Sequence, residues 1–190
     1  MVQAVRSEPY YTASEYFGLV ERGIIRPDDR VELLEGVIVA MSPQNPPHAS
    51  AVSLAHEALR EAIGRRAVLR VQSPLLVGTH SVPEPDVALV PGNARDYSHV
   101  HPSTALLVVE VADTSLLQDR LTKAAMYAVA GIAEYWLVNL PDDCVEVFRY
   151  PDQAARQYTE RSIVRRGSRI HLVAFPDASV AVDDLLPDPS

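Results

Sequence analysis

Positive charge is scarce in this sequence. Over 190 residues, 17 lysines and arginines face 25 aspartates and glutamates, a formal net charge of −8. Broad, non-specific nucleic-acid binding relies on a basic surface, so this balance counts against it. The arginines do gather, at Arg60, Arg65, Arg66 and Arg70 and again at Arg161, Arg165, Arg166 and Arg169. Two readings stay open for them: solvated faces, the usual fate of such runs, or a local basic cleft. Cysteine is nearly absent. Cys144 alone excludes a disulfide within the chain, and the opening MVQAVRSEPYYTASEY lacks the apolar core of a secretory signal, so a reducing cytoplasm is the expected setting. Long apolar runs are missing too. The most apolar helical stretch, residues 124–133, is about half the ~20 residues a membrane span needs, which makes a soluble protein without a membrane partner the expectation.

Several motifs are also absent. There is no GxxxxGK phosphate loop and no GxGxxG after a strand. The six histidines are scattered and only one cysteine exists, which argues against a zinc site. Without a G-x-S-x-G elbow, a serine hydrolase has little support.

What is present is an ordinary globular composition, 47% apolar and 22% charged. The length suits one domain over residues 1–190, with residues 1–10 expected as a flexible start, and no repeat, low-complexity tract or linker divides it. Thr12 and Glu15 fit a capping box for a helix over 13–22 that stops at Gly23. Residues 30–41 read as two strand-like pieces about Glu35-Gly36, a hairpin whose acids Glu32 and Glu35 are surface or turn carboxylates when taken singly. Residues 42–47 (SPQNPP) read as a loop because of their prolines. His48 then opens a helix to about Arg65, with Val52, Ala55, Leu59 and Ile63 at helical spacing. A histidine at a helix start is held neutral by the helix dipole, which suits a metal ligand or a phosphate donor as well as a plain cap.

Residues 67–77 and 85–90 read as adjacent strands, the first interrupted at Pro74, with Gln72 near the end that carries Asp86. Residues 106–111 read as the central strand, and within it 106–109 form an uninterrupted apolar run typical of a strand buried on both faces. Glu110 lies directly against it, and an unpaired buried charge there is strongly disfavoured, so it needs a partner. Asp113 or Thr114 would cap a helix over 117–130 in which Asp119, Lys123 and Tyr127 recur every four residues on one face. An Asp119–Lys123 surface ion pair is the plain account of that spacing. The small residues Ala124, Ala125, Ala128 and Ala130 would also let the helix pack close enough to bring its lysine to a strand-end acid. A strand over 131–140, a hairpin partner over 144–150 and further short strands close the chain, with an edge near 144–150 able to pair across a homodimer.

Asp86 and Glu110 on neighbouring strands are oxygen ligands of the kind Mg²⁺ takes, one or two carboxylates with the remaining positions left to water. A metal held there would activate a water and polarise a phosphoryl oxygen, and Lys123 would orient that water or meet developing charge.

Taken together, VELLEGVIVAMSP with His48 downstream, PEPDVALV, LLVVEVADTS, DRLTKAAMYAVAG and IAEYWLVNL resemble the Uma-type family of restriction-endonuclease-like proteins within the PD-(D/E)XK nuclease superfamily. The likeness runs from about Tyr11 to the C-terminus. It implies an α/β fold, a restriction-endonuclease-like mixed β-sheet flanked by helices. It implies a Mg²⁺-dependent endonuclease acting on DNA phosphodiesters, with Mn²⁺ able to substitute. The alternative is a catalytically silent nuclease fold serving in binding or assembly. Asp86 takes the place of the motif aspartate and Glu110 that of the second acid. The superfamily's lysine normally lies two residues further on, where this chain has Ala112. In the Uma-type branch it lies on the following helix, which matches Lys123. Glu35 and His48 fall where related families place an extra ligand, with Gln72 and Tyr127 as supporting residues.

Overall fold

A computed structural model of the chain describes residues 10–26, 28–113 and 119–188, residue 119 by its backbone alone. The expected flexible start apart from Tyr10, Thr114 as a cap, the helix start at 117 and the side chain of Asp119 lie outside them.

The chain opens with α1 (Ala13–Glu21), whose Thr12–Glu15 capping box is complete in both directions. A hairpin follows, β1 (Val31–Leu34) against β2 (Val37–Ala40). Its two-residue turn places Glu35 at φ 47° and Gly36 at φ 85°, the doubly left-handed geometry that matches strand twist. Next comes α2 (Pro46–Ile63), which starts two residues earlier than the sequence suggested. Pro46 and Pro47 occupy its first two positions, where no backbone N–H is needed, so proline here starts a helix instead of preventing one. Asn45 is the cap, its side-chain oxygen accepting from the His48 N–H at 3.0 Å. The Asn45 amide also donates to the Asp113 carboxylate.

Six strands make the central sheet, in the spatial order β3 (Val68–Val71), β4 (Val87–Val90), β5 (Leu107–Ala112), β6 (Glu134–Asn139), β7 (Cys144–Asp152), β8 (Gln157–Arg165). Only β5 and β6 run parallel; the other neighbours are antiparallel. The strand expected over 67–77 stops at Val71 because Gln72 turns to φ 45°, a break ahead of the one expected at Pro74. A π-helical turn (Asp119–Lys123) and α3 (Ala124–Val129) lie in the parallel crossover. A second small sheet, β9 (Arg169–His171) with β10 (Ser179–Ala181), and a 3₁₀ turn at Val182–Asp184 follow β8.

Every residue of β5 and β6 is buried, as the parallel centre of a sheet covered on both faces requires. On one face Val109, Val111, Trp136 and Val138 pack with Ala55, Leu59 and Ile63 of α2. On the other, Val108, Ala112, Tyr135 and Leu137 pack with Ala124, Met126 and Tyr127. Strand alternation assigns Glu110 to this second face, where α3 lies. The dimer edge expected near 144–150 is corrected: β7 is interior, between β6 and β8, so its backbone groups are already paired, and the edges are β3 and β8. Most of the arginine runs are engaged locally. Arg66 pairs with Asp177, Arg161 with Glu146 and Arg166 with Asp143. Among the described residues no helix is long and apolar enough to cross a membrane.

Candidate functional site

Asp86 immediately precedes β4, and the antiparallel register sets that strand beside β5 with Val87 opposite Val109. The Asp86 carboxylate is therefore held across the strand gap: its Oδ2 accepts the Val111 N–H at 2.8 Å and lies 3.3 Å from His48 Nε2. Its Oδ1 accepts from Gln72 Nε2 at 3.1 Å. The left-handed backbone at Gln72 that ends β3 also lets its N–H reach the Pro85 and Asp86 carbonyls, fixing this corner of the sheet. Burial pushes the Asp86 carboxyl up, but His48, the Val111 N–H and the Gln72 amide together outweigh it and keep it below the ordinary carboxylate range.

Glu110 stands on β5 with Lys123 and Tyr127 over it. Lys123 Nζ is 3.1 Å from Glu110 Oε1, and the Tyr127 hydroxyl donates to the same oxygen at 2.7 Å. Burial first, then the charges of Glu110 and Glu32, lift the Tyr127 phenol well above its usual value, so it remains a proton donor. The spacing of four between Lys123 and Tyr127 does bring both to one place, but not as a surface face. Lys123 is 6% exposed and ends a π-helical turn, a geometry that re-aims side chains and recurs at functional sites.

Glu32 completes the group. It is 4% exposed, its Oε1 lies 3.3 Å from Lys123 Nζ, and its Oε2 accepts the Glu84 N–H at 3.2 Å. Taken singly from the sequence, it reads as a surface or turn acid. Glu32 and Leu34 share a face of β1, and Leu34 packs with Ala124 and Tyr127, so Glu32 is turned to the α3 side, while Leu33 of the other face is buried in a separate cluster. Glu35 goes the other way. It occupies the hairpin turn, pairs with Arg156 and remains substantially exposed, away from Asp86 and Glu110. The structure thus brings Asp86, Glu110, Lys123, Tyr127, His48 and Gln72 together, adds Glu32 and leaves Glu35 out. Ala112, where a lysine would follow the second acid, is buried in the apolar face beneath α3.

Glu32, His48, Asp86, Glu110 and Lys123 line a cleft of about 70 Å³, with Glu84, Arg30, Ser42 and Gln44 also on its wall. Burial and the nearby charge of Glu32 raise the Glu84 carboxyl, with Arg30 opposing them. Glu32, Asp86 and Glu110 are each no more than 7% exposed; one buried ammonium, Lys123, pairs with Glu32 and Glu110, and Asp86 lies against His48. Carboxylates outnumber ammonium groups in this confined space, an expensive arrangement unless a cation joins it. The donors are all hard oxygens, which suit Mg²⁺ or Mn²⁺. Among the described residues no three His, Cys, Asp or Glu side chains converge as a cage. An ion here would be held by one or two carboxylates and water, which is how Mg²⁺ is ordinarily bound.

Sheet order, strand-end acids and a crossover helix that returns its lysine to them define a nuclease fold of the restriction-endonuclease type. The chain belongs to the Uma2 family, described as "Putative restriction endonuclease", whose model matches residues 13–183. The crystal structure at 1.96 Å of a "putative nuclease belonging to DUF820" from Anabaena variabilis ATCC 29413 is similar over 92% of this chain and 97% of that one, with a TM-score of 0.72 and 17% identity. The type IIG restriction endonuclease BpuSI shares 18% identity over 61% of this chain and 12% of its own, at a TM-score of 0.39, too slight a likeness to describe the fold further. No curated protein matches the sequence.

Proposed function

We propose that the protein is a divalent-metal-dependent endonuclease that hydrolyses DNA phosphodiester bonds, using Mg²⁺ with Mn²⁺ able to replace it. The observation that carries this reading is the excess of carboxylates over ammonium in a cleft lined by Glu32, Asp86, Glu110 and Lys123, in a family described as "Putative restriction endonuclease". Asp86 and Glu110 would hold the ion. Bound there, it would supply a Lewis acid for the phosphoryl oxygen and lower the pKa of a water.

The remaining chemistry belongs to the chain. Lys123, fixed by Glu110 and Glu32, offers a positive charge where negative charge gathers on the phosphate during attack. Tyr127 locks the rotamer of Glu110 through its hydroxyl, so the carboxylate is pre-aimed before substrate arrives. Gln72 and the Val111 N–H do the same for Asp86. His48 stands 3.3 Å from Asp86 on the cleft wall, where it can donate to a phosphate oxygen or accept a proton from an attacking water.

The test is cleavage of supercoiled plasmid and linear duplex by the purified protein in Mg²⁺ and in Mn²⁺, beside Asp86→Asn and Lys123→Met. Metal-dependent cleavage by the wild type, lost in both variants, is the expected result. DNA left intact in both metals would overturn it. Metal binding without cleavage would instead favour a binding or assembly module, which the net charge of −8 already suits better than a broad DNA-coating surface.

A further inference from the structure

A cleft with an excess of carboxylates repels the polyanion it is meant to receive, and a single metal ion neutralises only the interior. Something at the rim has to meet the DNA backbone. Arg30 is the arginine among the residues that line the cleft. It lies two positions before Glu32, so alternation along the hairpin sends both side chains to one side, Glu32 to the buried floor and Arg30 to the exposed mouth. Its place is fixed from the backbone, since its carbonyl accepts the Met41 N–H at 2.9 Å. Its guanidinium makes no hydrogen bond or ion pair among the described residues. By contrast, Arg66, Arg120, Arg149, Arg156, Arg161 and Arg166 are all tied to carboxylates. The positive charge of Arg30 is nonetheless felt inside the cleft, at Glu84.

We infer that Arg30 is a phosphate-binding residue: its guanidinium grips a non-bridging oxygen of the backbone phosphate next to the one seated over Asp86 and Glu110, and so sets the register of the strand in the cleft. A planar fork of N–H donors suits a phosphate, and a flexible ammonium would suit it less. This rests on the nuclease reading above and adds to it where the substrate is held.

The experiment measures the affinity of a short labelled duplex by fluorescence anisotropy, in Ca²⁺ so that a hard cation fills the cleft, over a salt series. It compares the wild type with Arg30→Ala and Arg30→Lys, and a parallel calorimetric titration measures Mn²⁺ on each. Arg30→Ala should weaken duplex binding by about tenfold or more, the worth of one charged hydrogen-bonding contact. Its salt slope should fall by about one unit, the loss of one phosphate contact. Arg30→Lys should retain part of the affinity and the full slope. Mn²⁺ should bind Arg30→Ala as tightly as the wild type or more tightly, because a repelling charge has gone. The opposite signs for DNA and metal separate phosphate contact from general damage to the cleft. Equal duplex affinity and equal slope in Arg30→Ala, alongside a wild type that binds and cuts DNA, would overturn this inference alone. A wild type that binds no duplex would overturn the nuclease reading together with it.

Discussion

Glu110 on β5 and Glu146 on β7 stand in one row across the sheet, both opposite Leu137 of β6. Both are buried, and their company differs in sign. Glu146 is reached by two guanidiniums, with Arg120 gripping both its oxygens and Arg161 at 2.8 Å, and by the Asn139 amide at 2.9 Å. Burial pushes its carboxyl up, but Arg120, Asn139 and Arg161 outweigh that and keep it low. Glu110 shares one lysine with Glu32, and Asp86 adds a third carboxylate to the same cleft. One acid with two cations is a closed structural joint; two acids on one ammonium, with a third carboxylate beside them, is an open demand for positive charge. The row therefore shows that burial alone does not mark a functional carboxylate, whereas an imbalance of buried charge does.

The largest effect that would sharpen this contrast is expected from Lys123→Met. It leaves Glu110 and Glu32 facing each other without their ammonium, and urea unfolding in chelator should show a loss of about 3–5 kcal/mol. Adding Mg²⁺ should recover part of it, because ligand binding to the native state stabilises by mass action. An unchanged midpoint would break the comparison at its strongest point.

Next come paired amide substitutions. Glu146→Gln removes the charge that two arginines and Asn139 converge on, and should cost about 1.5–3 kcal/mol while leaving Mn²⁺ affinity unaltered. Glu110→Gln should be neutral or stabilising in chelator, since it relieves one of the crowded negative charges, and should abolish metal binding. This is the stability cost of a functional site in reverse. The same sign for both stabilities would remove the distinction.

The pH dependence of stability gives a smaller effect. The Asp86 carboxyl is depressed in the folded state, so its contribution is fully present above the unfolded value near about 4 and disappears as pH falls through the lower folded value. Glu146 adds an acid limb of the same sign. Gln72→Ala weakens only the first, and acid unfolding should then begin at a slightly higher pH; Asn139→Ala should act through Glu146 instead.

The smallest effect is at Glu35. Its pair with Arg156 is half-exposed, so Glu35→Ala should change stability by no more than about 1 kcal/mol and leave metal affinity as it was. A lost metal site in that variant would return Glu35 to the ligand set.

Much of this was legible in the chain of letters, and the exceptions have physical reasons. The apolar runs at Val108–Val109 and Leu137–Val138 give the parallel centre, and an acid pressed against the first demands a partner, which the spacing of Lys123 and Tyr127 provides. Glu32 reads as a surface acid because a carboxylate in a short hairpin resembles one, and with Leu33 and Leu34 both apolar, alternation in VELL does not tell which face meets α3. Proline misled at Pro46, where the first helical positions do not require the hydrogen bond that proline lacks. The edge of the sheet was misplaced because alternation along 144–150 looks the same in an interior strand and an outer one; only the pairing with β8 decides. The π-helical turn carries no sequence signature that helical spacing alone would reveal.

The most direct measurement is a calorimetric titration of Mn²⁺ into the wild type and Glu110→Gln, both confirmed folded by circular dichroism. A saturable site in the wild type that vanishes in Glu110→Gln, with Glu146→Gln titrating like the wild type, is the predicted result. Mn²⁺ binding that survives in Glu110→Gln, or a folded wild type that takes up no Mn²⁺ at all, would contradict the claim that the crowded acids of this cleft are there to hold a divalent cation.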